Sequence, residues 1–308
     1  MAYYPSWARY SYTYDKVDYS QFNIITHAFI FPTDTGGLRV DADFLYPELV
    51  TSVHAKNKKI LVSLGDTFGA TTFATILGNP AKKQAFIQAI KKFITDNKYD
   101  GVDVDWEVPA NTQEGIMLVQ FIRDLKSTLS GKLVTATISI MPNYIDLPSL
   151  STYADYINIM AYDMEAGWNG YAGYNAPLYH NAKMPSDMSV DYFMRTIFLK
   201  SGINKNKLIL GFPLYGRKFT VQNPYDTAYQ STPVEYKDLP TDCTRKWDAE
   251  SLVPYLSCTG YYITYDDAQS YAYKKSYVDK AGLGGIFFWA LGQDNGIITT
   301  NIKNATIK

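Results

Sequence analysis

Tyr99-Asp100-Gly101-Val102-Asp103-Val104-Asp105-Trp106-Glu107 decides how this chain of 308 residues is read. Along an extended strand, alternate side chains share a face. Asp103, Asp105 and Glu107 therefore point one way, and Val102, Val104 and Trp106 the other. Such a strand fits a barrel: its apolar face packs under helices, and its acids line the interior up to the C-terminal mouth. Stacked carboxylates in a poorly solvated interior are costly. At least one pKa is expected to rise, with a proton shared between neighbours. A carboxylic acid that stays neutral at working pH can protonate a leaving oxygen. A solvated edge strand would not need Val and Trp on its other face. A Mg or Ca site could use the acids, but such sites usually draw ligands from loops with waters and carbonyls. No metal and no cofactor are expected.

Outward from this stretch, short apolar or β-branched runs alternate with helical patterns, which signals parallel βα units. The expected strands are 2–5, 24–31, 59–64, 101–106, 133–140, 156–161, 207–212 and 285–289. Eight of them suit a closed (β/α)8 TIM barrel. Between them, Asn79-Pro80 reads as an N-cap with Pro at the first helical position. A second helix is expected over 112–129, stopped by Gly131. Ser189 is expected to cap a third, closed by Gly202, and Asp266 a last one running to about 280. The gap from Tyr215 to Asp266 is too long for a structureless loop in a compact domain. It predicts a small inserted subdomain at 217–265, leaving 1–216 and 266–308 as the barrel. Active sites are built on that side of such barrels.

Composition narrows the function further. Lys+Arg number 29 and Asp+Glu 30, so nothing favours nucleic acid or an anionic membrane. No run is long and apolar enough to span a bilayer. The chain carries 27 Tyr and 5 Trp, and flat rings with polar tips suit a sugar-binding groove as well as a core. Cys243 and Cys258 share one loop-rich stretch, which leaves a local disulfide and two separate thiols both open. Residues 2–7 already read as a first strand, so Met1 is taken to stand where a leader was removed, and secretion is expected. Asn304-Ala305-Thr306 is a glycosylation triplet, relevant only in a eukaryotic secretory pathway. A monomer is the default.

The motif 100–107 resembles the DGxDxDWE signature of family 18 glycoside hydrolases, the chitinases and their relatives. The likeness extends over nearly the whole chain. Ser63-Leu64-Gly65 resembles the family's SxGG, and Met160-Ala161-Tyr162-Asp163 its MxYD. Tyr215-Gly216-Arg217 follows strand seven, Trp289 ends strand eight, and 175–179 resembles the segment after MxYD. The insertion matches in position the family's α+β insertion domain, though it looks short. The resemblance implies a substrate-assisted exception to the usual two-carboxylate scheme. Glu107 is then acid and base, and the substrate's own 2-acetamido carbonyl is the nucleophile. Asp105 accepts from the acetamido N–H, and Asp103 lies below and shares the proton. Tyr162 donates to the acetamido carbonyl, and Asp163 bonds the same sugar. Trp289 is implied as the floor. Tyr3, Trp7, Phe31, Ser63, Trp106, Met160 and Arg217 complete the expected substrate contacts, with chitin or chito-oligosaccharide as the partner.

The sequence also departs from the pattern. Asp66 stands where the family has a second Gly, and Thr67 where some relatives carry Trp. Relatives often have another residue at Glu165, which leaves contacts from Trp168 open. In the second strand, Phe29 is the alternative to Phe31. Arg217 could instead pair with acids of the insertion, and Ser63 could serve only Asp103. Two other functions share the barrel. An endo-β-N-acetylglucosaminidase on N-glycans carries the same acids, whereas a chitin-binding lectin has lost the acid that Glu107 supplies here.

Overall fold

The computed structural model describes residues 1–65 and 71–300. Asp66, Thr67 and the triplet at 304–306 lie outside the described residues. The strands are β1 (Ala2–Pro5), β2 (Ile24–Pro32), β3 (Lys59–Gly65), β4 (Gly101–Asp105), β5 (Leu133–Ser139), β6 (Tyr156–Met160), β7 (Leu208–Pro213), β8 (Tyr215–Phe219), β9 (Thr232–Glu235), β10 (Thr244–Asp248), β11 (Val253–Cys258), β12 (Tyr261–Thr264) and β13 (Gly285–Trp289). Among the described residues, β1 to β7 and β13 form a parallel sheet, closed by β1 pairing with β2 on one side and β13 on the other. This is the expected (β/α)8 barrel.

The helices start where short-range chemistry stops the strands. They are α1 (Pro47–Ala55), α2 (Thr72–Leu77), α3 (Pro80–Asp96), α4 (Thr112–Thr128), α5 (Leu147–Tyr153), α6 (Val190–Phe193) and α7 (Ala268–Ala281). Asn79 accepts from Ala81 and Lys82 N–H groups, with Pro80 in the first turn as expected. Ser189 caps α6 through Tyr192 N–H, after which the helix widens into a π-turn at Met194–Phe198. The cap of α7 is Asp267, not Asp266. Asp267 forms a reciprocal capping box with Ser270, whereas Asp266 is buried 2.5 Å from Lys274 Nζ.

The main core lies between the barrel's outer face and these helices. Val102 and Val104 are fully buried there, on the face opposite the acids. Gly101 opens β4 because the sheet is tight at that point: a Cβ would sit 2.0 Å from the Leu133 carbonyl oxygen. Asp100, one residue earlier, is structural. It accepts from Ile60 N–H, His54 and Lys59. These partners outweigh burial and hold its carboxyl below the usual aspartate value.

A second, antiparallel sheet has the order β9-β8-β12-β11-β10. It begins at Tyr215, with only Leu214 between it and β7. Its helical content among the described residues is one 3-10 turn, Tyr236–Asp238, so the stretch is β-built where the resemblance implied α+β. Cys243 and Cys258 are joined by a disulfide within it. The long segment after β6 also belongs to its surroundings: Ala172 packs with Phe219 and Tyr262, and Tyr171 bridges Thr227.

Candidate active site

The strand alternation places the acids as a column. Asp103 and Asp105 point into the barrel, and Glu107 stands two residues past the end of β4, half-buried at the mouth. Asp103 is fully buried and held by donors from four other strands. Ser63 Oγ (2.8 Å) and Tyr3 OH (2.9 Å) donate to Oδ2. Thr135 Oγ1 (2.5 Å) and Asn158 Nδ2 (3.2 Å) donate to Oδ1, and Thr137 Oγ1 lies 3.0 and 3.1 Å from the two oxygens. Burial pushes the Asp103 carboxyl up, and the hydroxyl bonds pull it back.

Among the described residues, no side chain is seen donating to Asp105 in this way. Its Oδ1 is buried without a partner. Burial first, then the charges of Asp103 and Glu107, push its carboxyl well above the aspartate range. Of Asp103 and Asp105, Asp105 is the one pushed further up. Glu107 is also raised, by burial and then by the charge of Asp163. Tyr162 is held as a neutral phenol, by burial and by the acids around it, with Asp105 foremost. Its hydroxyl is thus available as a donor.

Asp163 sits at the end of β6 in a left-handed backbone conformation (φ 58°). Its N–H donates to Asn175 Oδ1 at 3.0 Å. Its carboxylate accepts from Tyr215 OH (2.6 Å) and Arg217 Nε (2.7 Å), both on β8. Arg217 thus pairs with an acid of the barrel and not with one of the insertion. Aromatic rings close the mouth. Trp289 lies 5.5 Å from Tyr3 and stacks on Phe29 at 5.5 Å. Trp7, 53% exposed, reaches 6.5 Å from both Phe29 and Trp289.

The family model of the Glycosyl hydrolases family 18 matches residues 1–294. The chain belongs to this family. It is 31% identical over 272 residues to a probable endochitinase of Caenorhabditis elegans, covering 77% of this chain and 44% of that protein. Among solved structures, it resembles the Group IV chitinase of Ostrinia furnacalis (TM-score 0.91, 24% identity, 99% of this chain and 98% of that one). It also resembles a chitinase-like agglutinin of Robinia pseudoacacia (TM-score 0.88, 23% identity, 99% and 98%). At these identities the two structures share the fold alone. The chain spans about half the length of the curated relatives it matches, 44% to 62%.

Against this family 18 background, several expected contacts are placed differently. Trp106 is only 4% exposed and stacks on Phe73 at 5.3 Å, so it is a core residue behind the strand and not a wall of the cleft. Ser63 and Tyr3 are buried beneath the mouth, where they donate to Asp103. The aromatic position of β2 falls to Phe29, which joins the Trp289 group. Phe31 lies one pair further out, under the Arg39 guanidinium (4.2 Å). Met160 and Tyr162 pack against the same buried cluster, which includes Tyr3 and Phe287, as do Phe29 and Trp289.

Thr135, Thr137 and Asn158 were missed in the sequence, and Tyr215 was noted only as part of its motif and not as a donor to Asp163. The two threonines carried a signal: they alternate on the expected strand 133–140, and Thr135 lies in register with Asp103.

Proposed function

We propose that this chain is a retaining chitinase that cleaves β-1,4 links between N-acetylglucosamine units, with Glu107 as acid and then base. What supports the proposal is the column of acids: Asp103 held by donors, Asp105 above it with a buried oxygen that has no partner, and Glu107 half-buried at the mouth. Glu107 gives its proton to the glycosidic oxygen as the bond to the anomeric carbon breaks. The acetamido carbonyl oxygen attacks that carbon from the opposite face and forms an oxazolinium ring. Glu107, now a carboxylate, takes a proton from water, which opens the ring and restores the β configuration.

Asp105 holds the acetamido N–H through its buried oxygen, and Tyr162 donates to the carbonyl. Asp163 bonds the same sugar and is kept in place by Tyr215 and Arg217. Trp289 is the floor, and Phe29 and Trp7 extend the stacking surface. In this reading the parallel barrel is the catalytic unit, and the sheet that begins at Tyr215, two residues before the expected boundary at 217, is a subdomain that walls the cleft. The disulfide supports secretion.

The test is hydrolysis of chitotetraose and chitopentaose by wild type and Glu107→Gln, with product anomers followed in time. Rapid β-anomer release, reduced about 10²–10⁴-fold or more in the variant, is expected. No turnover by wild type, or full activity in the variant, overturns the assignment. Cleavage of a high-mannose glycopeptide instead would favour the N-glycan reading, and binding without cleavage the lectin.

A further inference from the structure

We infer that Glu165 is a positioning residue: its buried carboxyl group clamps the loop 165–172 and so orders the insertion side of the cleft for oligosaccharide binding. The inference rests on the chitin reading above. Glu165 is fully buried, although it lies in a loop beyond β6. Its Oε2 accepts from Asn169 Nδ2 at 3.0 Å and its Oε1 from Tyr171 OH at 2.8 Å. Both donors lie a few residues ahead, so the bonds fold the loop back on itself. Gly173 makes room for this: a Cβ there would lie 2.4 Å from the Glu165 Cβ.

What the clamp presents lies between its two ends. Trp168 is 62% exposed and sits 5.5 Å from the Arg217 guanidinium. The neighbouring Ala166 carbonyl accepts from Ser231 Oγ (2.8 Å), which in turn accepts from Arg217 Nη1 (3.2 Å). Arg217 Nε then reaches Asp163. The far end of the loop is stitched to the insertion by main chain: Ala172 N–H donates to Asp226 O, Tyr225 N–H to Ala172 O, and Ala228 N–H to Gly170 O. One carboxyl group therefore sits in a bonded circuit that runs from the loop, through the insertion, back to Asp163. Without it, the half-buried Tyr171 hydroxyl and the exposed Asn169 amide lose the acceptor that folds the loop back, and the loop must be ordered at the moment of binding.

The experiment is calorimetric titration of chitotetraose into Glu107→Gln, used as parent so that no turnover occurs. Glu165→Ala, Glu165→Gln and Tyr171→Phe are added to that parent. Glu165→Ala is expected to raise Kd about tenfold, the effect of roughly 1.4 kcal/mol of ordering. Glu165→Gln should return Kd to within about threefold of the parent, because its Oε1 still accepts from Tyr171 and Asn169 can turn its amide to match. Tyr171→Phe should fall between, and it opens no cavity if Glu165→Ala folds poorly. Unchanged Kd in both Glu165→Ala and Tyr171→Phe overturns the role of Glu165 alone. Absence of binding by the parent overturns the chitin reading, and this inference with it.

Discussion

Asp105→Asn should stabilise this protein progressively as pH rises, and the slope can be worked out in advance. Asp105 is 6% exposed, has a buried oxygen without a partner and lies between Asp103 and Glu107. Its folded pKa is therefore well above the unfolded value of about 3.9. A carboxyl raised in the fold contributes stability in full below the unfolded pKa and loses it as pH climbs toward the folded pKa. Above about pH 4 the unfolded chain has released this proton, while the folded carboxyl keeps it up to its raised pKa. Stability then falls by about 1.4 kcal/mol per pH unit from this one group.

Asn has no such slope, and it is neutral like the protonated acid it replaces. The variant should gain on wild type as pH rises from 5 to 7, by at most about 2.7 kcal/mol. With an unfolding entropy of about 2.1 cal/mol/K per residue, that is a relative Tm gain of at most about 4 °C. Any fixed cost of fitting the amide moves the intercept and not the slope. Calorimetric Tm values at pH 5, 6 and 7 decide the matter. A gap that stays flat or narrows would refute the argument and mean that Asp105 is ionised in the fold across that range.

Arg217→Ala leaves Asp163 with Tyr215 as its remaining side-chain donor; losing a bond to a charged group, about 1.5–3 kcal/mol, should lower kcat/KM on chitotetraose by about 10–150-fold. The disulfide closes a separation of 15 residues, so Cys243→Ser/Cys258→Ser should cost about 3 kcal/mol in urea unfolding. Lys274→Met strands the buried Asp266 carboxyl and should cost about 3–5 kcal/mol in the same assay, most of it recovered when Asp266→Leu is added.

The barrel was legible because its strands are short β-branched runs whose period of two is dictated by the pleat. That same period put Trp106 on the outer face, which is where it lies; only the resemblance had placed it among the sugar contacts. In β2 the period fails for a physical reason. The register against β3 shifts between His27 and Ile30, so counting by twos does not decide between Phe29 and Phe31. The donors around Asp103 were not legible as a set. They are ordinary hydroxyls and one amide spread over four strands, and only closure of the barrel brings them together. The Asp163–Arg217 pair joins residues 54 apart through two different sheets. The disulfide was open because proximity of Cys243 and Cys258 depends on β10 pairing with β11.

The junction between β7 and β8 bears on how barrels of this family can be recombined. Leu214 is the single residue between the two sheets, and its N–H is bonded to the Trp289 carbonyl, so one rod of chain from Leu208 to Phe219 serves barrel and insertion alike. An insertion exchanged as a cassette at Leu214 would carry away Tyr215 and Arg217, the two side chains that grip Asp163. Swapping the outer strands after Phe219 would leave that grip with the host. The transplantable unit is thus smaller than the sheet, and the natural cut for redesigning the cleft lies inside it.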